Sequence, residues 1–192
     1  MADVVVALDS WIIQDGNYGD FARDMNDAFA LEFLASEPLE QFEPGAAPTA
    51  SLTRVKDACY EVSGEVVHVA DDWWVINVGI LAFQDGKPPA YVRPGNWLHG
   101  RIQIGIDPFL YFERLALQPG APALIYDWRI EKIEIQTAPI IEVKPRVFER
   151  DPAQLGWKEI VETNSWGDAG EYLLHCNRTG ASARRTRDPI AV

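Results

Sequence analysis

The run from Asn96 to Ile106 restricts the fold of this chain more than any other stretch. Leu98, Ile102, Ile104 and Ile106 fall on one side of an extended backbone, and Trp97, His99, Arg101 and Gln103 fall on the other. A helix would scatter these residues round its circumference, so the pattern demands a strand with one buried and one open face. Such a strand needs neighbours, and the preceding sequence supplies them. Tyr60 to Val69 is strand-like with Gly64 in its middle, which predicts a bulge or a sharp bend. Asp71-Asp72 turns the chain into Trp73–Phe83, apolar nearly throughout and expected to be covered on both faces. Asp85-Gly86 and the prolines at 88, 89 and 94 then make a loop.

After the alternating strand a short helix is signalled. Asp107 is a good N-cap, Pro108 suits the first helical position, and Pro119-Gly120 stops the run. Leu124 to Gln136 reads as a long strand whose apolar phase slips near Glu131-Lys132, as a bulge produces. Ile140 to Phe148 reads as one more strand, with Pro145 confining it to an edge or a bulge. Strand with a central glycine, strand, alternating strand, helix, long bent strand, strand: over residues 59–148 this order resembles the five-stranded OB-fold, with its helix between strands three and four. The resemblance implies a mainly β protein, a curled antiparallel sheet or OB-like barrel with one short helix.

The flanks extend that core. Val4 to Gln14 is expected to be a strand ending at the turn Asp15-Gly16-Asn17. Residues 20–36 fit a helix through Phe21, Met25, Phe29 and Phe33, or a strand from Ala28 to Leu34, and the strand is preferred. Residues 37–51 hold three prolines and read as a long loop. Glu159–Thr163 and Glu171–Cys176 make a C-terminal strand pair before an Arg-rich tail. The expected organisation is one domain over 1–192: acidic strands and a loop over 1–58, the barrel over 59–148, and the strand pair with its tail over 149–192.

Charge narrows the partners. The net charge of −12 lies wholly in residues 1–72, where only Arg23, Arg54 and Lys56 oppose the carboxylates; the remainder is neutral. A field of that sign repels phosphate backbones and attracts cationic molecules. No stretch approaches the ~20 apolar residues of a membrane helix, and no basic leader opens the chain. Two cysteines, Cys59 and Cys176, are too few for a secreted framework of this size, so a reduced, cytoplasmic protein is expected.

Chemistry leaves few signatures. The chain has no phosphate-binding glycine loop, nucleophile elbow or HExxH, and His68, His99 and His175 stand on three separate expected strands. His175 and Cys176 point to opposite faces of a strand and cannot pair there. Asp107 and Glu113 are explained by helix architecture. No cofactor, metal or catalytic residue is expected. The candidate binding face is Trp97, His99, Arg101 and Gln103, extended by Tyr91 and Arg93 from the preceding loop, because aromatic, cationic and amide groups together suit stacking and hydrogen bonding. Three functions follow: an acidic, immunity-like or inhibitor-like protein engaging a basic protein; a single-stranded nucleic-acid binder using the barrel face; or an enzyme without a recognisable motif. The first is preferred, because charge opposes the second and motifs are lacking for the third.

Overall fold

A computed structural model describes residues 3–43, 47–167, 170–180 and 182–187. The fold is mainly β, a closed five-stranded barrel with extra strands. In chain order the elements are β1 (Asp3–Asp9), α1 (Ser10–Gln14), β2 (Asn26–Phe29), β3 (Leu31–Leu34), β4 (Glu40–Gln41), β5 (Ser51–Lys56), β6 (Cys59–Val69), β7 (Trp73–Asn77), β8 (Leu81–Asp85), β9 (Trp97–Ile106), α2 (Leu110–Glu113), β10 (Tyr126–Gln136), β11 (Ile140–Lys144), β12 (Val147–Arg150), β13 (Trp157–Ile160) and β14 (Glu171–Arg178).

The ring runs β6-β7-β8-β3-β9 and returns to β6. It is antiparallel except for β3 beside β8. Alternation does what it promised: Leu98, Ile102 and Ile104 fill the interior with Tyr60, Val62, Phe33, Trp74 and Ile76. Phe33 meets Trp74 edge-on, with ring centroids 5.0 Å apart. Each such burial contributes about 1.5–3 kcal/mol. Gly64 lets β6 bend and serve two neighbours, since a Cβ there would stand 2.7 Å from the carbonyl oxygen of Asn77 and from Ile76. The expected bend at this glycine is therefore required by contact with β7.

The ring's membership corrects the expected boundaries. Trp73–Phe83 is not one strand but the hairpin β7–β8, turning at Gly79, whose amide donates to Asn77 Oδ1 at 3.0 Å. Its outer face is covered by the segment around α2, where Trp73, Val75 and Phe83 pack on Tyr111, Leu115 and Ile125. Burial on both faces removed the period that would have shown the turn. The hairpin fills two ring positions, and β6 and β9 fill two more. The remaining strand comes from the N-terminal region, as β3, and α2 follows the barrel instead of lying within it.

The long strand β10 lies outside the ring, in the sheet β13-β10-β14-β1 that leaves the barrel from β9. Its register slips between Ile130 and Lys132, where the bulge was expected. Residues 140–148 form no further barrel strand. They contribute to a separate hairpin, β11–β12, with Pro145 in its turn. At the N-terminus the expected strand stops at Asp9, and Ser10–Gln14 is a short helix burying Ile12 and Ile13. No helix of the described residues is long and apolar enough to cross a membrane.

Candidate binding groove

The structure keeps Trp97, His99, Arg101 and Gln103 on one side of β9 but engages Arg101 and His99 within the chain. Arg101 donates to Glu61 on β6 through Nε and Nη2, at 3.0 and 2.7 Å. His99 sits against the Phe42 ring at 4.7 Å between centroids, with Glu40 3.9 Å from its Nε2. The Tyr91 carbonyl accepts from the side chains of Gln41 and Asn96, each at 2.8 Å. Arg93 is exposed in the same loop, and Trp97 is half-buried beside a hollow of about 220 Å³. The stretch read as loop supplies β4 and Phe42, which cover this end of the face. Of the predicted residues only Gln103 reaches the larger groove described next.

That groove forms where one edge of β9 changes neighbours. β6 pairs along Trp97–Gln103, and β1 takes over in parallel at Gly105, opposite Ala7. Because β6 leaves just as β1 arrives, the turn at Asp57-Ala58 spans the seam, and the second sheet folds away from the barrel. The resulting cleft has a volume of about 570 Å³, within the range of ligand clefts, ~300–1,000 Å³. On the barrel side it is lined by Glu32, Phe33, Leu34 and Gln103, and on the sheet side by Asp9, Glu171, Gln136 and Trp157.

The sheet side is a row across four strands. Asp9 pairs with Glu171 between β1 and β14, Glu171 accepts from Gln136 Nε2 at 2.9 Å, and Gln136 pairs with Trp157 between β10 and β13. Directly opposite residues share a face, so the row presents two carboxylates, an amide and an indole together. Trp11 stands at the mouth, 47% exposed, its Nε1 donating to Asp9 at 3.2 Å. Val5, Ala58 and Leu173 make a small apolar cluster beside it, with Trp157 packed against them.

Electrostatically the groove is one-signed. Asp9, Glu32, Asp57 and Glu171 line it, and among the described residues no Lys, Arg or His does. At its rim Arg54 Nε donates to the Asp57 carbonyl at 2.7 Å, and the exposed Lys56 lies 3.8 Å from the Asp57 carboxylate. Burial pushes the Glu32 carboxyl up to about 7, helped by the nearby charges of Asp107 and Asp85. Two polar atoms of the row are left over: Gln136 Oε1 and Trp157 Nε1 are both buried without a partner. Gln136 as a whole is 9% exposed. Unpaired buried groups of this kind cost about 1–3 kcal/mol each and concentrate where a ligand or strain has a role.

Other sequence candidates resolve as structure. Asp107 is fully buried and accepts from the Tyr111 amide at 3.1–3.2 Å, but α2 begins only at Leu110 with Phe109 at its N-cap, so neither Asp107 nor Pro108 takes the helical position expected of it. Burial outweighs those amides and raises its carboxyl to about 7. Cys176 is buried, and desolvation pushes its thiol far above the usual range; His175 faces the other way onto Glu134 at 2.7 Å. Among the described residues no group of His, Cys, Asp and Glu is arranged to hold a metal ion.

The described part of the Arg-rich tail is docked on the body. Arg184 pairs with Asp127 at 2.6 Å. Arg187 pairs with Asp27 at 2.9 Å, donates to the carbonyls of Asn17 and Ala28, and lies 4.1 Å over the Tyr18 ring. Both arginines line a second cleft of about 620 Å³ together with the acids they neutralise. The signal for the groove was present only in part. Asp9, Glu32 and Asp57 belong to the acidic first third, but nothing local links them to Gln136 or Trp157. No family model, curated protein or solved structure matches the chain.

Proposed function

We propose that this chain is a non-catalytic binding protein whose acidic groove receives a cationic, partly apolar segment of a basic protein. The observation that supports it best is a cleft of about 570 Å³ with aromatic and aliphatic walls, four carboxylates and no cation among its described lining residues. Complementary fields of this kind accelerate encounter and set register. Trp11 and Trp157 suit an ammonium or guanidinium group, which is attracted to the face of an indole. An arriving N–H donor would also give Gln136 Oε1 a partner after a small rotation of the side chain. Unpaired Cys59 and Cys176 accord with a reducing, cytoplasmic setting.

A nucleic-acid ligand fits less well, because Arg101, Arg184 and Arg187 are neutralised within the chain by Glu61, Asp127 and Asp27. The test is a titration of tryptophan fluorescence at low salt with a peptide that mixes lysine, arginine and leucine. Saturable quenching is expected, weakening as salt rises and at least about tenfold weaker in Glu171→Lys. Equal response to an acidic peptide, or tighter binding of a single-stranded oligonucleotide, would defeat the reading.

A further inference from the structure

The hairpin β11–β12 exposes apolar side chains that nothing within the described chain covers. Ile140 and Phe148 are 63% and 64% exposed, and Ile141, Val143 and Val147 are also exposed. The pairing Ile141↔Glu149 and Glu142↔Phe148 puts apolar residues on both faces of the ribbon. The two strands form a sheet of their own, with exposed apolar residues on both faces. An isolated two-stranded ribbon is marginal in water. A chain that displays one with large apolar groups on both sides needs a cleft to receive it, since a flat surface would cover only one side.

The tip is basic. Lys144 and Arg146 flank Pro145 and are exposed, and Arg146 holds φ +64° while its amide donates to Glu142 at 2.7 Å. Glycine would adopt that conformation at less cost, so the position keeps a guanidinium where the backbone would favour none. The arm thus combines what the groove lacks, cations, with what its walls accept, aliphatic and aromatic groups. It also springs from the groove's own rim: it begins just after Gln136, which lines the groove, and is followed by Leu155 and Trp157, which line it again.

We infer that two copies of this chain associate by exchanging these arms, the basic apolar tip of each entering the acidic groove of the other. A two-fold axis that faces the grooves toward each other makes the exchange reciprocal, with the same patch used twice. The inference rests on reading the groove as a site for cationic apolar segments, with a second copy as its resident occupant. A basic partner protein then displaces the arm, and the dimer is the resting form.

Sedimentation equilibrium and a native thiol test this. Cys59 lines the groove, so Phe148→Cys under oxidised glutathione is expected to give a disulfide-linked dimer that disappears when Cys59→Ser is added. The wild type should sediment as a dimer at tens of micromolar. Lys144→Glu with Arg146→Glu should weaken it about tenfold or more, and so should Glu171→Lys. Mixing these two variants should restore association, because one intact arm then meets one intact groove. A wild type that stays monomeric, a covalent dimer that survives Cys59→Ser, or pelleting of the monomer with phospholipid vesicles through the arm would each overturn the proposal. The arm-tip variant separates it from the broader reading. If that variant remains monomeric and still binds the cationic peptide while the wild type never dimerises, arm exchange fails alone. If Glu171→Lys leaves peptide binding intact, the groove reading fails.

Discussion

The outer face of β9 and the groove beside β1 share one strand and a similar stock of side chains, yet they differ in what their polar atoms do. On the face, Arg101 meets Glu61 and His99 meets Phe42 and Glu40, although the buried Ser63 Oγ opposite His99 has no partner. In the groove, the carboxylates lack any lining cation, and an amide oxygen and an indole N–H have no partner. Residue type alone favoured the face, with its Trp, His and Arg in a row. Pairing of Arg101 with Glu61 favours the groove, since a surface whose cation is already paired has less to offer an incoming ion.

The largest expected effect that separates the two regions is on pH dependence. Asp107, buried behind the groove, and Glu32, half-buried within it, both have carboxyls raised to about 7. The folded state therefore holds their protons at pH values where the unfolded chain has released them. Stability should fall as pH rises from about 4 to about 7, by up to about 4 kcal/mol from Asp107. Melting temperatures at pH 5 and pH 8 should show this fall, and Asp107→Asn should flatten most of it. Glu32→Gln should flatten a smaller part and also remove the rise in peptide affinity that ionisation of Glu32 produces across the same range.

Next in size is Gly64→Ala, which drives a methyl group into Asn77 and Ile76 of the neighbouring strand. A loss of about 3 kcal/mol in denaturant midpoint analysis is expected. It should distort the β6 half of the β9 face while the β1 side of the groove keeps its row. Gln136→Met comes third. It deletes an unpaired acceptor along with one hydrogen bond to Glu171, so stability should stay within about 1 kcal/mol of wild type while peptide affinity drops. The smallest is Arg101→Ala. An exposed ion pair is screened by solvent and contributes little, so both stability and peptide binding should be nearly unchanged. A marked loss of binding there would reverse the comparison.

How much of this was readable from the residues depended on how local the cause was. Clean alternation fixed β9, and the phase slip near Glu131 fixed the bulge, because each is written in a few adjacent positions. The β7–β8 hairpin was hidden by burial on both faces, which erases the period that marks a turn. The ring's membership was hidden for a different reason. β3 is four residues long and sits beside β2, separated only by the buried Ala30, so it looks like the end of one strand although it joins a different neighbour. The groove depends on four distant strands meeting in one register, and no window of sequence contains that. The acid-rich first third did point to it, through Asp9, Glu32 and Asp57, but as a charge without an address.

The early position of β3 has a consequence for how the barrel is made. During synthesis Leu31–Leu34 emerges well before either of its neighbours, β8 and β9. At ribosomal rates the strand waits on the order of ten seconds for Ile106 to appear. Through that interval Leu31 and Phe33, which end fully buried, have no pocket to enter, and their backbone has no ladder. The nascent chain therefore carries an open, sticky edge until its centre is complete. Glu32, set between those two residues, places a charge in the middle of that edge, where it opposes pairing with a stray strand.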